Sequence, residues 1–166
     1  MKVKMPAHKL VLDEFFEQPF KLFAIHASVE DYRMAFLLNK NLGLRLKRAR
    51  KDVDIRRNSA VSLFELYEFE DEINYCSYFL VGNVSRSKVE GRKESRSLFE
   101  EEPESLQKSF LLPEFRQVDF FLKIEEDIEG ISESTLLNQI KGVAQVSMAY
   151  AIEFDAIKSK ENLIFD

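Results

Sequence analysis

Cysteine occurs once, histidine twice, proline four times and glycine five times in this chain of 166 residues. Cys76 alone can form no intrachain disulfide, and there is no cysteine cluster to hold zinc or an iron–sulfur centre. His8 and His26 stand apart without HxH or HxxxH spacing, which argues against a histidine metal site. Little glycine leaves little material for phosphate cradles, and the GxGxxG, P-loop, GxSxG and HExxH patterns are all missing. No metal, no cofactor and no catalytic constellation are therefore expected. No apolar run exceeds that of residues 34–38, against roughly 18 residues for a membrane-spanning helix. Lys2 and Lys4 open the chain as a secretory signal would, but Pro6, His8, Lys9, Asp13 and Glu14 break up any apolar stretch behind them. These absences, with the lone thiol, point to a reducing cytoplasm and to no membrane.

What is present argues for a folded chain. Hydrophobic residues make up 45% of it, with 15 phenylalanines and 5 tyrosines, too many for an intrinsically disordered segment. Residues 21–27 are apolar on both alternating faces, as in an interior strand covered on each side. Ser28 before Val29, Glu30 and Asp31 reads as a helix cap, and Gly43 as a stop, so a helix is expected over 29–42. Its main apolar stripe on a helical wheel comprises Val29, Tyr32, Ala35, Phe36, Leu38 and Leu42, with Met34 and Leu37 outside it. Leu44 and Leu46 suggest a short strand. Residues 61–69 and 73–81 read as an antiparallel hairpin around Glu70, Asp71 and Glu72. Residues 85–109 hold few large apolar groups and read as a mobile excursion tethered by Leu98 and Phe99.

The last third alternates clearly. Val118, Phe120, Leu122 and Ile124 share one strand face, with Asp119, Phe121 and Lys123 on the other. Ser132 or Ser134 can cap a helix bearing Leu136, Leu137 and Ile140, which Gly142 ends, and Val146 to Phe154 repeat at period two. The resulting expectation is a single α+β domain over 1–166. It has a mixed five- or six-stranded sheet with two main helices packed on one face, built from two βαβ-like units around a β-hairpin.

Residues 112–120, Leu-Pro-Glu-Phe-Arg-Gln-Val-Asp-Phe, resemble the signature of a family of uncharacterised bacterial proteins named IPExxxVDY for that motif. The Pro113–Glu114 and Val118–Asp119 pairs match in spacing, while Leu112 replaces Ile and Phe120 replaces Tyr. Residues 8–15, 30–33 and 159–165 are also similar to the family, so the resemblance spans nearly the whole chain. It implies no known catalytic residue, cofactor or substrate.

Three groups of residues are candidates for chemistry. Glu114 and Asp119 in the signature are carboxylates that either brace the fold or act as a pair; Pro113 favours bracing, because it sets the entry into the strand. His26, Ser28 and Arg33 gather at the first strand–helix junction, where exposed amides favour an anionic metabolite. Arg45, Lys47, Arg48, Arg50 and Lys51 lead a basic stretch over 43–57, with seven cations against two anions in a chain of net charge −5. That stretch could neutralise RNA phosphates, yet the overall negative charge opposes steering to a polyanion, and no RNA-binding signature accompanies it. The leading expectation is a noncatalytic cytoplasmic protein-interaction or regulatory domain that self-associates as a homo-oligomer or binds a protein partner. A small anionic-metabolite protein and an RNA- or ribosome-associated protein follow it.

Overall fold

The computed structural model describes residues 20–58, 60–88, 106–126 and 130–165. In chain order its elements are β1 (Phe20–Ala27), α1 (Asp31–Leu42), β2 (Lys47–Arg48), β3 (Val53–Arg57), β4 (Ala60–Phe64), β5 (Leu66–Asp71) and β6 (Cys76–Gly82). There follow β7 (Val84–Lys88), β8 (Leu106–Phe110), β9 (Phe120–Glu126), α2 (Glu133–Lys141) and β10 (Val146–Ile152). Short 3₁₀ turns lie at Pro113–Phe115, Phe154–Ala156 and Lys160–Leu163.

The principal sheet has six strands in the order β10-β1-β9-β6-β5-β2. β1 is interior, as its two apolar faces predict: Phe23 and Ile25 bury toward one side, Leu22 and Ala24 toward the other. A mixed sheet is expected from the sequence, but every neighbouring pair is antiparallel. The reason lies in strand insertion. β9 and β10, joined through α2, do run parallel, yet β1 lies between them; β1 and β2, joined through α1, are separated by three strands. Each strand–helix–strand stretch is therefore split by an antiparallel neighbour.

Both helices pack on one face. Met34, Ala35, Leu37 and Leu38 of α1 and Leu136 and Ile140 of α2 share a core with Phe23, Ile25, Leu80, Leu122 and Ile124. The stripe expected for α1 is thus corrected: Met34 and Leu37 are buried, whereas Tyr32 and Phe36 are 63% and 62% exposed. Two apolar arcs overlap on this helix, and contact with a sheet already filled by Phe23, Tyr67, Tyr78 and Phe120 selects the slimmer one. Gly43 ends α1 in the left-handed region at φ 70°, its amide donating to the Asn39 carbonyl at 3.0 Å. The helix begins at Asp31 with Glu30 at the cap, so Ser28 lies outside it. Ser132 caps α2 by accepting from the Thr135 amide.

The opposite face of the sheet carries a second core of Leu22, Ala24, Val81 and Phe121. It is covered by Phe64 of β4, by Leu111, Leu112 and Val118, and by Ile157 and Leu163 of the C-terminal strap. Val118 belongs here and not with Phe120, because it precedes β9 in a turn and is not bound to the strand's alternation. The expected strand over 61–69 is two strands broken at Glu65: β4 pairs with β3, and β5 forms the hairpin with β6. β7 and β8 pair from Val84↔Phe110 to Lys88↔Leu106, so a two-stranded ladder joins the ends of the expected excursion over 85–109. Residues 89–105, including the Leu98 and Phe99 tether, lie outside the described residues. Among the described residues, no helix is long and apolar enough to cross a membrane.

Candidate functional site

The signature segment is built around Asn83, in the short connection between β6 and β7. Asn83 is fully buried, and its side-chain amide donates to the carbonyls of Phe115 at 2.8 Å and Val118 at 2.9 Å. Its Oδ1 accepts from the Leu112 amide at 3.0 Å, while its backbone bonds Asp119 and Leu111. One buried side chain therefore bonds three backbone groups of residues 112–118, of which the Phe115 carbonyl also accepts from the Val118 amide at 3.1 Å.

Glu114 and Asp119 face different parts of the molecule. Glu114 Oε1 accepts from the amides of Lys158 and Ser159, both at 2.8 Å, and Oε2 from the Ser159 hydroxyl at 3.1 Å. Burial pushes its pKa up, but hydrogen bonds from Ser159, its own amide and Lys158 outweigh that and hold it below its ordinary value. Asp119 Oδ2 accepts from the Ala27 amide at 2.9 Å, closing the end of β1 onto the start of β9. The strap that Glu114 holds is fastened again by Asn162, which donates to the Leu111 carbonyl at 2.7 Å. Lys123 fastens it a third time. Buried on the strap side of the sheet, its Nζ donates to the Leu163 carbonyl at 2.7 Å, pairs with Glu125, and lies 5.0–5.6 Å from the rings of Phe20, Phe79 and Phe165.

A cleft of about 650 Å³ opens where β1 gives way to α1. Ser28, Glu30, Asp31 and Arg33 come from that junction, Gly82 from β6, Lys108 from β8, and Asp119 and Phe120 from the signature. Sequence reasoning places Ser28 and Arg33 together, and both line this cleft. His26 does not, because strand alternation turns it to the other face, where its ring lies 5.8 Å from that of Tyr150. Its Nε2 is buried without a hydrogen-bond partner among the described residues.

The unforeseen member is Asp31. Burial first, then the charges of Glu65 and Asp52, push its carboxyl up to about 6 against the opposing pull of Arg48. Its side chain accepts no hydrogen bond among the described residues. Asp52 and Glu65 share one guanidinium, whose charge also reaches Asp31: Arg48 pairs with Asp52, approaches Glu65 at 3.9 Å and donates to the Leu66 carbonyl at 3.2 Å. Tyr67 donates to Glu65 at 3.3 Å, and burial with that neighbouring charge pushes its phenol up to about 12. A signal for Asp31 exists in the sequence only as a first-turn carboxylate, which any capped helix carries.

Of the basic stretch, Arg45, Lys47, Arg50 and Lys51 are exposed, while Arg48 is drawn into the acidic group just described. Arg56 lies 3.6 Å from Asp54. Among the described residues no group of three or more His, Cys, Asp or Glu is placed to hold a metal ion. Cys76 is buried in the helix-side core, its thiol donating to the Asn74 carbonyl at 3.2 Å.

No protein-family model matches the chain, and no curated protein matches it.

Proposed function

We propose that the protein is a noncatalytic cytoplasmic interaction or regulatory domain that associates with itself or with a protein partner. The observation that carries this reading is the exposure of Tyr32 and Phe36, one turn apart on the solvent side of α1. Two neighbouring aromatic rings left in water are costly to keep and are common anchors of partner surfaces. Kinship with the IPExxxVDY family belongs to the same proposal and rests on residues 112–120. The test is affinity capture with wild type, the double variant Tyr32→Lys/Phe36→Lys and the surface control Ile73→Lys. Loss of a captured protein with the double variant alone supports the reading; a capture profile identical in all three overturns it.

A second reading takes the cleft as a small-ligand site. Arg33 and Lys108 favour the anionic metabolite suggested by the sequence, but Glu30, Asp31 and Asp119 line the same walls. A ligand carrying an ammonium group as well as an acid suits that lining better than a simple anion. Thermal-shift measurement with amino acids against simple carboxylates and phosphates discriminates the two. The RNA reading has less support, since Arg48 and Arg56 already have carboxylate neighbours.

A further inference from the structure

The two edges of the principal sheet differ in kind. One is β2, which is only two residues long, and both of them, Lys47 and Arg48, are exposed cations. Short length and positive charge are the ordinary means by which a sheet edge avoids pairing with another chain. The other edge is β10, which is seven residues long, Val-Ser-Met-Ala-Tyr-Ala-Ile, with no charge and no proline. Among the described residues, nothing pairs with its outer side. Met148 on this strand is 57% exposed.

The strand also has a regular part and an irregular one. Ser147 is an extra residue in the pairing with β1, since His26 opposes Met148 and Ala27 opposes Val146. From Met148 to Ile152 the register is unbroken. An antiparallel copy of this stretch related by a twofold axis at Tyr150 sets Met148 against Ile152, Ala149 against Ala151, and Tyr150 against itself. All of these cross-strand pairs are apolar, and none sets like charges opposite each other. Helix α2 packs on β10, so the same axis lays two copies of α2 side by side and antiparallel.

We infer that β10 is the self-association edge of this protein: a second copy adds its own β10 antiparallel about Tyr150, making one continuous twelve-stranded sheet from two six-stranded ones. This rests on the self-associating part of the reading above and gives it a surface separate from Tyr32 and Phe36. The occupant is a second copy because the uncharged strand is its own complement in sequence, with an unbroken register from Met148 to Ile152 on either side of Tyr150. A pairing of five residues a side is small for an interface, so the dimer is weak and reversible.

Sedimentation velocity from a few micromolar to a few hundred tests the inference. Wild type is expected to shift from monomer to dimer over that range. Met148→Lys, at an exposed position that the monomer tolerates, is expected to weaken the dimer at least tenfold, while Ile73→Lys leaves it unchanged. Covalent trapping tests the register: Tyr150→Cys in a Cys76→Ser background brings two thiols within disulfide reach across the axis, and oxidation is expected to give a covalent dimer. Ser147→Cys in the same background, placed off the axis, is the control and is expected to stay monomeric on reducing-agent-free gels. A wild type that remains monomeric throughout overturns the inference, as does a dimer indifferent to Met148→Lys. A monomer that still loses its captured partner with Tyr32→Lys/Phe36→Lys removes the β10 interface alone and leaves the partner-binding reading standing.

Discussion

The Asp31 carboxylate lies directly over Gly82: a Cβ at that glycine would come within 2.9 Å of Oδ2. Any side chain at that position would push the carboxylate aside, because the first turn of α1 presses its acid against the backbone end of β6. The approach takes water from one side of the carboxyl, and Glu65 and Asp52 add unfavourable charge, so the ionised form is disfavoured.

The sign of the pH effect of Asp31 follows. Its folded pKa is raised to about 6 from the ordinary aspartate value of 3.8, so the folded state holds the proton more tightly between those values and loses stability as pH rises through them. Partial exposure screens the effect, leaving about 1 kcal/mol at pH 7.5. Asp31→Asn removes the ionisation and loses only a few tenths of a kcal/mol of helix-dipole interaction. Urea unfolding at pH 4, 5, 6 and 7.5 is expected to show a flatter profile for the variant, with its gain over wild type growing from pH 4 to 6 and levelling off above that. A variant profile parallel to wild type would show that Asp31 titrates normally.

Asn83→Ala is expected to be the most destabilising polar substitution in the described part of the chain. It strips the Asn83 partner from the buried Leu112 amide and Val118 carbonyl and one of two partners from the Phe115 carbonyl, at a total cost of about 3–5 kcal/mol. Asn83→Asp separates hydrogen bonding from shape. It keeps the acceptor for Leu112 but turns carboxylate oxygen toward two carbonyls, so its stability should recover partly in acid as the carboxyl protonates. Denaturation midpoints for the two variants at pH 5 and 8 check this; equal pH profiles would contradict the donor role.

Glu114 titrates in the opposite sense to Asp31. Its folded pKa is depressed, so its contribution is present above the unfolded carboxylate range and disappears as pH falls through the folded value. Glu114→Gln keeps the shape but gives the Lys158 and Ser159 amides a neutral acceptor in place of a charged one, and should cost about 1 kcal/mol at neutral pH. Hydrogen exchange should accelerate at those two amides and in the strap around Leu163, with the difference from wild type vanishing in strong acid. Unchanged exchange at both amides would mean that the strap is held by Asn162 and Lys123 alone.

Local chemistry carried much of the architecture in the amino-acid order. Alternation identifies β1 and β9, Gly43 ends α1, Ser132 opens α2, and the stretch around Asp71 turns β5 into β6. These features need only neighbours within a few residues, because pleat, cap and turn are short-range geometry. The same order placed Ser28 and Arg33 at one cleft, since both flank one junction.

Long-range encounters settled the rest. Which arc of α1 meets the sheet depends on the bulk already there, and so Tyr32 and Phe36 end in solvent. Asn83 becomes a hub only because the chain returns to it 29 to 35 residues later, and Asp31 is perturbed only once Gly82 and Glu65 have been folded against it. The amino-acid order specifies each strand's own two faces; its place in the sheet, and hence which edge is left open, arises when distant segments compete to bury them.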